Sequence, residues 1–140
     1  MPASDAVSRY PALLAMQAVP LFAALGYEFS DAGDGWAELT FSAGANSMNL
    51  YGIVHGGAWL FLADSAMGGA LGTVCAPDER IITTQADFRW LRALEGSTIR
   101  ARGRVVRRGR SVSHASVELF DGARKLIGQG SGTYVILPPA

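Results

Sequence analysis

The sequence contains a single cysteine, Cys75, and no acceptor site for N-linked glycosylation, so nothing in it indicates secretion. The apolar run at residues 11–25 is broken by two prolines and by Gln17, and no net positive charge precedes it. These features argue against a signal peptide. We therefore expect a cytoplasmic protein.

An excess of charge of either sign is also lacking, because twelve basic residues balance twelve acidic ones. The balance conceals an asymmetry. Residues 1–79 hold eight acidic side chains and one basic, whereas residues 80–140 hold four acidic and eleven basic. Any bound phosphate is therefore expected to contact residues 80–140. Nucleic acid is not an expected partner, because the basic clusters are short and lack interleaved aromatic residues.

Several catalytic motifs are absent. The sequence has no Gly-x-Ser-x-Gly nucleophile elbow and no phosphate-binding P-loop, and its two histidines and one cysteine lack the spacing of metal ligands. It therefore predicts no serine triad, no metal site and no bound cofactor.

The residues that are present suit one folded domain. Of the 140 residues 49% are hydrophobic, which excludes a disordered chain, and no repeat or linker divides them. We treat residues 1–140 as a single domain that begins with a helical segment at 1–26. Hydrophobic periodicity and turn residues predict these elements: helices at 7–25, strands at 27–31 and 36–42, a helix at 58–75, and a meander of strands at 81–91, 98–108, 111–120 and 125–137. An antiparallel sheet wrapped around one long central helix, an α+β architecture, would bury their apolar faces.

The predicted central helix carries one charge, Asp64, among apolar residues on all sides. A helix that is apolar all round is typically buried, and a membrane span is disfavoured because a carboxylate at its midpoint costs about 2.5–3.5 kcal/mol. A buried Asp64 needs polar partners or a cleft. It serves either a chemical function or, as the alternative, hydrogen bonds to its neighbours only.

Asn49, His55, Gly56 and Gly57 directly precede this helix. A helix N-terminus offers free N–H groups and a positive dipole end, which suit an anion or a developing oxyanion. The two glycines leave room for a ligand carbonyl to approach. The alternative is that His55 only caps a turn and the glycines serve packing.

His55 and Asp64 are nine residues apart, which on one helix separates them by about 13.5 Å and half a turn. They cannot serve one site within one chain. If both act on one substrate, two antiparallel copies of the helix must lie side by side, with Gly68 and Gly69 permitting close approach. This geometry predicts a two-fold homodimer with two composite active sites.

The run N-L-Y-G-I-V-H-G-G-A-W-L-F-L-A-D (Asn49–Asp64) resembles the signature of hotdog-fold acyl-CoA thioesterases of the PaaI type. The resemblance extends over roughly residues 20–136 and includes Thr83-Thr84, Phe88–Arg92, Gly103–Ser111 and Gly130–Thr133. The 4-hydroxybenzoyl-CoA subgroup has Glu and then Thr where this sequence has Asp64 and Gly68. The aspartate-using branch is therefore the closer match.

The resemblance implies a hotdog fold and the hydrolysis of an acyl-CoA thioester, aromatic or of short or medium chain length, to free acid and coenzyme A. Coenzyme A would enter only as part of the substrate. Asp64 would act as general base or nucleophile, and the Gly56 amide would bind the oxyanion. Asn49 and His55 would position the carbonyl and water, and Thr83 would orient the water beside the carboxylate. The resemblance also implies a homotetramer built from dimers.

The arginines divide into two groups. Arg107, Arg108 and Arg110 cluster at a predicted strand end and suit the phosphates of coenzyme A. Three others alternate along that strand and are expected on a solvated sheet face: Arg100, Arg102 and Arg104.

Trp59 and Phe61 are candidates for lining an acyl pocket, with Gly57 beside the substrate. Two alternative functions use the same fold: a dehydratase or hydratase of 3-hydroxyacyl thioesters, which would use a histidine and an acid, and a non-catalytic acyl-CoA-binding module. The presence of Asp64, Asn49 and His55 together favours the hydrolase.

Overall fold

A computed structural model describes residues 4–140, so the first three residues of the predicted N-terminal segment 1–26 lie outside the described part. The helices are α1 (Asp5–Ser8), α2 (Pro11–Gln17), α3 (Pro20–Leu25) and α4 (Gly56–Gly72), with a short 3-10 helix at Ala45–Ser47. The strands are β1 (Tyr27–Gly33), β2 (Trp36–Ser42), β3 (Arg80–Trp90), β4 (Thr98–Arg108), β5 (Val112–Asp121) and β6 (Leu126–Leu137). The boundaries predicted for the central helix and the strands are confirmed to within three residues.

The predicted helical stretch at 7–25 is divided into three short helices by its prolines. Pro11 and Pro20 each stand at the first position of a helix, where the missing N–H costs nothing. Gly26 ends α3 with a left-handed φ of 77°, and a Cβ there would lie 2.8 Å from the Ser42 carbonyl oxygen. The predicted stop at Gly26 is confirmed.

All six strands form one antiparallel sheet in the order β1-β2-β4-β5-β6-β3. The predicted meander is confirmed for β4, β5 and β6, which pair in sequence through short links. It is wrong for β3, which pairs with β6 and not with β4. The reason is the link 91–97: seven extended residues reach about 23 Å, enough to cross two intervening strands at about 4.8 Å each. The strand β3 is therefore an edge of the sheet.

Helix α4 packs against β2, β4 and β5. From Leu62 to Gly72 every residue of α4 is buried except the half-buried Asp64, as predicted, whereas Leu60 in the second turn is exposed. The closest approach is at Gly103, where a Cβ would collide with the Ala66 carbonyl group. No helix within residues 4–140 is long and apolar enough to cross a bilayer.

The paired glycines of α4 face their own chain. A Cβ on Gly69 would lie 2.5 Å from the Phe29 ring, and a Cβ on Gly68 would lie 3.4 Å from the Met16 methyl group. Both positions are covered by the N-terminal half of the same chain. The prediction that these glycines bring two copies of the helix together is therefore wrong.

The alternating arginines of β4 lie on the face of the sheet opposite α4. Arg100 and Arg104 are exposed. The Arg102 guanidinium lies 3.2 Å from a Glu38 carboxylate oxygen and 4.4 Å from the centre of the Trp36 ring. The prediction of a solvated outer face is confirmed.

Candidate active site

The loop before α4 is held in shape by the Asn49 side chain. Its Oδ1 accepts hydrogen bonds from the backbone N–H groups of Tyr51, at 2.9 Å, and Ile53, at 3.3 Å. The His55 N–H donates to the Ser47 carbonyl at 2.7 Å and joins the loop to the 3-10 helix. The Asn49 side-chain amide nitrogen has no acceptor among residues 4–140. It can therefore donate to a ligand.

His55 is the N-cap of α4. It therefore caps a turn, which was the alternative interpretation of this residue. Its Nδ1 accepts the Gly57 N–H at 2.8 Å, which leaves Nε2 to carry the proton of the neutral ring. The Gly57 N–H is therefore already hydrogen-bonded to His55. Gly57 does not supply a second N–H donor to an oxyanion. The Gly56 N–H has no acceptor among residues 4–140 and lies at the positive end of the helix. It is the amide of this turn that can bind an oxygen.

A cavity of about 570 Å³ lies beside Gly56. A Cβ on Gly56 would lie 3.6 Å from the Trp90 indole nitrogen, so this ring lies directly over the first turn of α4. The Phe88 ring packs edge-on against Trp90 with centroids 4.8 Å apart. The cavity is mostly apolar. Its lining includes Ala43, Met48, Ile53, Val54, Trp59, Trp90, Leu91 and Leu94, together with the polar side chains of Asn49, Arg92 and Ser97.

The two aromatic candidates on α4 have different surroundings. Trp59 is buried and lines the cavity beside Gly56, and its contact with an acyl group stays a prediction. Phe61 instead stacks on Tyr27, with ring centroids 4.8 Å apart, and contacts Phe22. The prediction that Phe61 lines an acyl pocket is wrong, because its position on α4 directs it into the aromatic part of the core.

Asp64, near the middle of α4, receives two hydrogen bonds on one oxygen. The Thr83 hydroxyl and the Tyr134 hydroxyl each donate to Oδ1 at 2.8 Å, and Tyr134 also donates to the Asp64 carbonyl at 3.1 Å. No donor to Oδ2 is found among residues 4–140. The pairing of Thr83 with Asp64 agrees with the position that the resemblance gives it.

Sequence reasoning missed Tyr134. Its side chain is buried, and burial, the Asp64 charge and the hydrogen bond to Asp64 all raise the pKa of this phenol above its ordinary value. A buried tyrosine needs a partner for its hydroxyl, which is the one signal in the sequence. That partner, Asp64, is distant in the sequence, so the contact depends on how β6 packs against α4.

A second cavity, of about 320 Å³, surrounds Asp64. Its lining includes Ser65, Gly68, Glu79, Ile81, Thr83 and Tyr134, together with Ala12, Ala15 and Met16 of α2. It shares no lining residue with the cavity beside Gly56. The Gly56 amide and the Asp64 carboxylate therefore lie at two separate cavities of the described chain.

The arginine cluster is only partly available to a ligand. Arg108 pairs with Glu79 at 3.0 Å and also donates to the Gly109 and Arg110 carbonyl groups. The ion pair forms because the turn after α4 brings Glu79 beside the end of β4, and the contact of Arg108 with a phosphate stays a prediction. Arg107 and Arg110 are exposed.

The antiparallel sheet packed against one long helix is a hotdog fold. A match to the Thioesterase superfamily covers residues 51–127, more than half of the chain, and the protein belongs to that family. The predicted hotdog fold and the resemblance to PaaI-type thioesterases are confirmed. The protein is a thioester hydrolase.

Solved structures agree with this assignment. A conserved protein from Pseudomonas aeruginosa is 30% identical, with a TM-score of 0.79 over 84% of this chain and 93% of that one. The Escherichia coli PaaI protein from the phenylacetic acid degradation operon has a TM-score of 0.83 at 20% identity, over 96% and 98% of the chains. A Haemophilus influenzae thioesterase has a TM-score of 0.81 at 20% identity, over 88% and 86%. At that identity the last two support the fold.

Proposed function

We propose that the protein hydrolyses an acyl-CoA thioester in a site shared between two subunits, with the α4 N-terminus of one chain facing Asp64 of the other. The observation that carries the proposal is the separation of the Gly56 amide and the Asp64 carboxylate into two cavities of one chain. On α4 they are eight residues apart, about 12 Å along the axis. One thioester carbonyl cannot contact both unless a second chain supplies one of them.

The sheet edge supports this arrangement. Within residues 4–140, strand β3 pairs on one side only, and most of its residues are exposed. Pairing of two β3 edges around a two-fold axis would extend the sheet and bring the two α4 helices side by side. Thr83, on β3 itself, already holds Asp64 next to this edge. A dimer through β3 therefore places the carboxylate where a partner's α4 can reach it.

The reaction needs only these groups. In one route, Asp64 accepts a proton from water while the water oxygen bonds to the thioester carbon, and the Gly56 N–H stabilises the negative oxygen. The C–S bond then breaks, and the thiolate leaves and takes up the proton. In the other route, a carboxylate oxygen bonds to the carbon and displaces the thiolate, and water hydrolyses the resulting anhydride. Both routes give the acid and the thiol.

The substrate class follows from two features. The apolar cavity of about 570 Å³ suits an acyl group, with Asn49 and Gly56 at the carbonyl end. Arg107 and Arg110 offer free positive charge in the basic half of the sequence for the phosphates of coenzyme A.

A panel of acyl-CoA thioesters, assayed by release of free thiol, tests the proposal with Asp64→Asn. We expect turnover to fall by a factor of about 10²–10⁴, because the variant keeps the shape of the side chain and removes its basic oxygen. The matched control is Asp78→Asn, which alters an exposed aspartate in the turn after α4. Wild-type turnover in Asp64→Asn on the best substrate would contradict the proposal.

A further inference from the structure

The hydroxyl group of Tyr134 lies on the carboxylate that the proposed reaction uses. It donates to Oδ1 of Asp64 at 2.8 Å and to the Asp64 carbonyl at 3.1 Å, while Thr83 donates to the same Oδ1 at 2.8 Å. The three groups come from three elements, α4, β3 and β6. Thr83 and Tyr134 are directly opposite each other where β3 pairs with β6. The two donors therefore have a fixed spacing set by the sheet.

The orientation of Tyr134 is fixed by packing. Only 1% of the side chain is exposed, and the phenol has few rotamers to choose from once its ring is enclosed in the core. An ionised carboxylate can only accept hydrogen bonds, so both hydroxyls must donate. Burial and the neighbouring negative charge raise the pKa of Tyr134, which keeps the phenol protonated as a donor.

The two oxygens of Asp64 are thereby made different. Oδ1 accepts two hydrogen bonds, whereas no donor to Oδ2 is present among residues 4–140. We propose that Tyr134 is a positioning residue that, with Thr83, holds Oδ1 and leaves Oδ2 as the oxygen that acts in hydrolysis. This inference rests on the proposed function of Asp64.

Few other charges face this carboxylate. The part of α2 that lines the cavity contributes Ala12, Ala15 and Met16, which do not titrate. Glu79, ahead of β3, is the other acid in the lining, and it is engaged with the Ala76 N–H and with Arg108. Removing the Tyr134 hydroxyl therefore changes the immediate surroundings of Asp64 by one donor.

The test compares Tyr134→Phe with Tyr27→Phe. Tyr27 is a matched control, because it is equally buried and its hydroxyl donates at 2.8 Å to the Ala58 carbonyl of the same helix, away from Asp64. We expect Tyr134→Phe to lower kcat about tenfold and to change KM less than about twofold. The acid limb of its kcat/KM profile should move up by about one pH unit, because a carboxylate that loses a donor holds its proton more tightly. Tyr27→Phe should leave kcat and the profile unchanged.

A second substitution tests the same contact without removing the hydroxyl. Site-specific incorporation of 3-fluorotyrosine at position 134 supplies a more acidic phenol and so a stronger donor. We expect the acid limb to move to lower pH, opposite to the effect of Tyr134→Phe. If Tyr134→Phe does not fold, this variant still tests whether Tyr134 positions Asp64.

The outcomes separate the two proposals. An inactive Asp64→Asn together with unchanged kcat and pH profile in Tyr134→Phe overturns the positioning role and leaves the proposed function standing. Equal effects of Tyr134→Phe and Tyr27→Phe also overturn the positioning role. They would show that losing a buried hydroxyl disturbs the packing of the core, and not the Asp64 carboxylate in particular. Full activity of Asp64→Asn overturns the proposed function and the positioning role with it.

Discussion

Gly56 and Asp64 lie on one helix, eight residues apart, and line two cavities that have no lining residue in common. The helix itself enforces this separation of about 12 Å, because α4 runs without a break from Gly56 to Gly72. A conformational change within one chain could not bring the two groups together while α4 stays helical. Under the proposed function, the two groups can therefore act on one substrate only if two chains share the site.

The exposed arginines at the end of β4, Arg107 and Arg110, should affect substrate binding and not turnover. We expect the double variant Arg107→Ala/Arg110→Ala to raise KM for acyl-CoA with kcat nearly unchanged, since phosphate contacts hold the ground and transition states alike. A thioester of N-acetylcysteamine, which lacks the nucleotide, should show no change. The matched control is Arg100→Ala/Arg104→Ala on the outer face of the sheet. An unaltered KM for acyl-CoA would show that Arg107 and Arg110 are solvated and do not bind the substrate.

Trp90 should influence which acyl groups are accepted. Its indole covers the first turn of α4 and lines the apolar cavity, yet half of the residue is exposed, so removing it should not unfold the protein. We expect Trp90→Ala to lower kcat/KM for bulky acyl-CoA substrates about tenfold and for acetyl-CoA much less, because the lost apolar contact scales with the buried area. Trp36→Ala, on the outer face, is the control. Equal losses for both substrates would argue against an acyl pocket here.

Gly103 should be essential for the packing of α4 on the sheet. A Cβ there would collide with the Ala66 carbonyl, whereas a Cβ on Gly122 would meet open space. We expect Gly103→Ala to lower the free energy of unfolding by about 1–3 kcal/mol or more, and Gly122→Ala to change it by less than about 0.5 kcal/mol. Urea denaturation of the two variants measures this difference. Similar values for both would show that α4 can move away from β4 at little cost.

The sequence was sufficient to predict the parts of the site that depend on local pattern. Asp64 could be recognised as the one charge in an apolar helix, and Gly56 as the amide at its start, because neither depends on strand order. Tyr134 could not, since its contact with Asp64 depends on how the last strand, β6, packs against α4. The ion pair of Arg108 could not be predicted for a related reason. Its partner Glu79 is distant in sequence and approaches only through the turn after α4.

The most direct test of the shared site mixes two inactive variants, Asp64→Ala and Asn49→Ala/His55→Ala, after their subunits are dissociated and reassociated. Each mixed dimer would contain one site with all its groups intact, and random exchange makes about half of the dimers mixed. We expect recovery of about a quarter of wild-type thioesterase activity. No recovery, with subunit exchange confirmed by native mass spectrometry, would show that each chain works alone and would contradict the composite site.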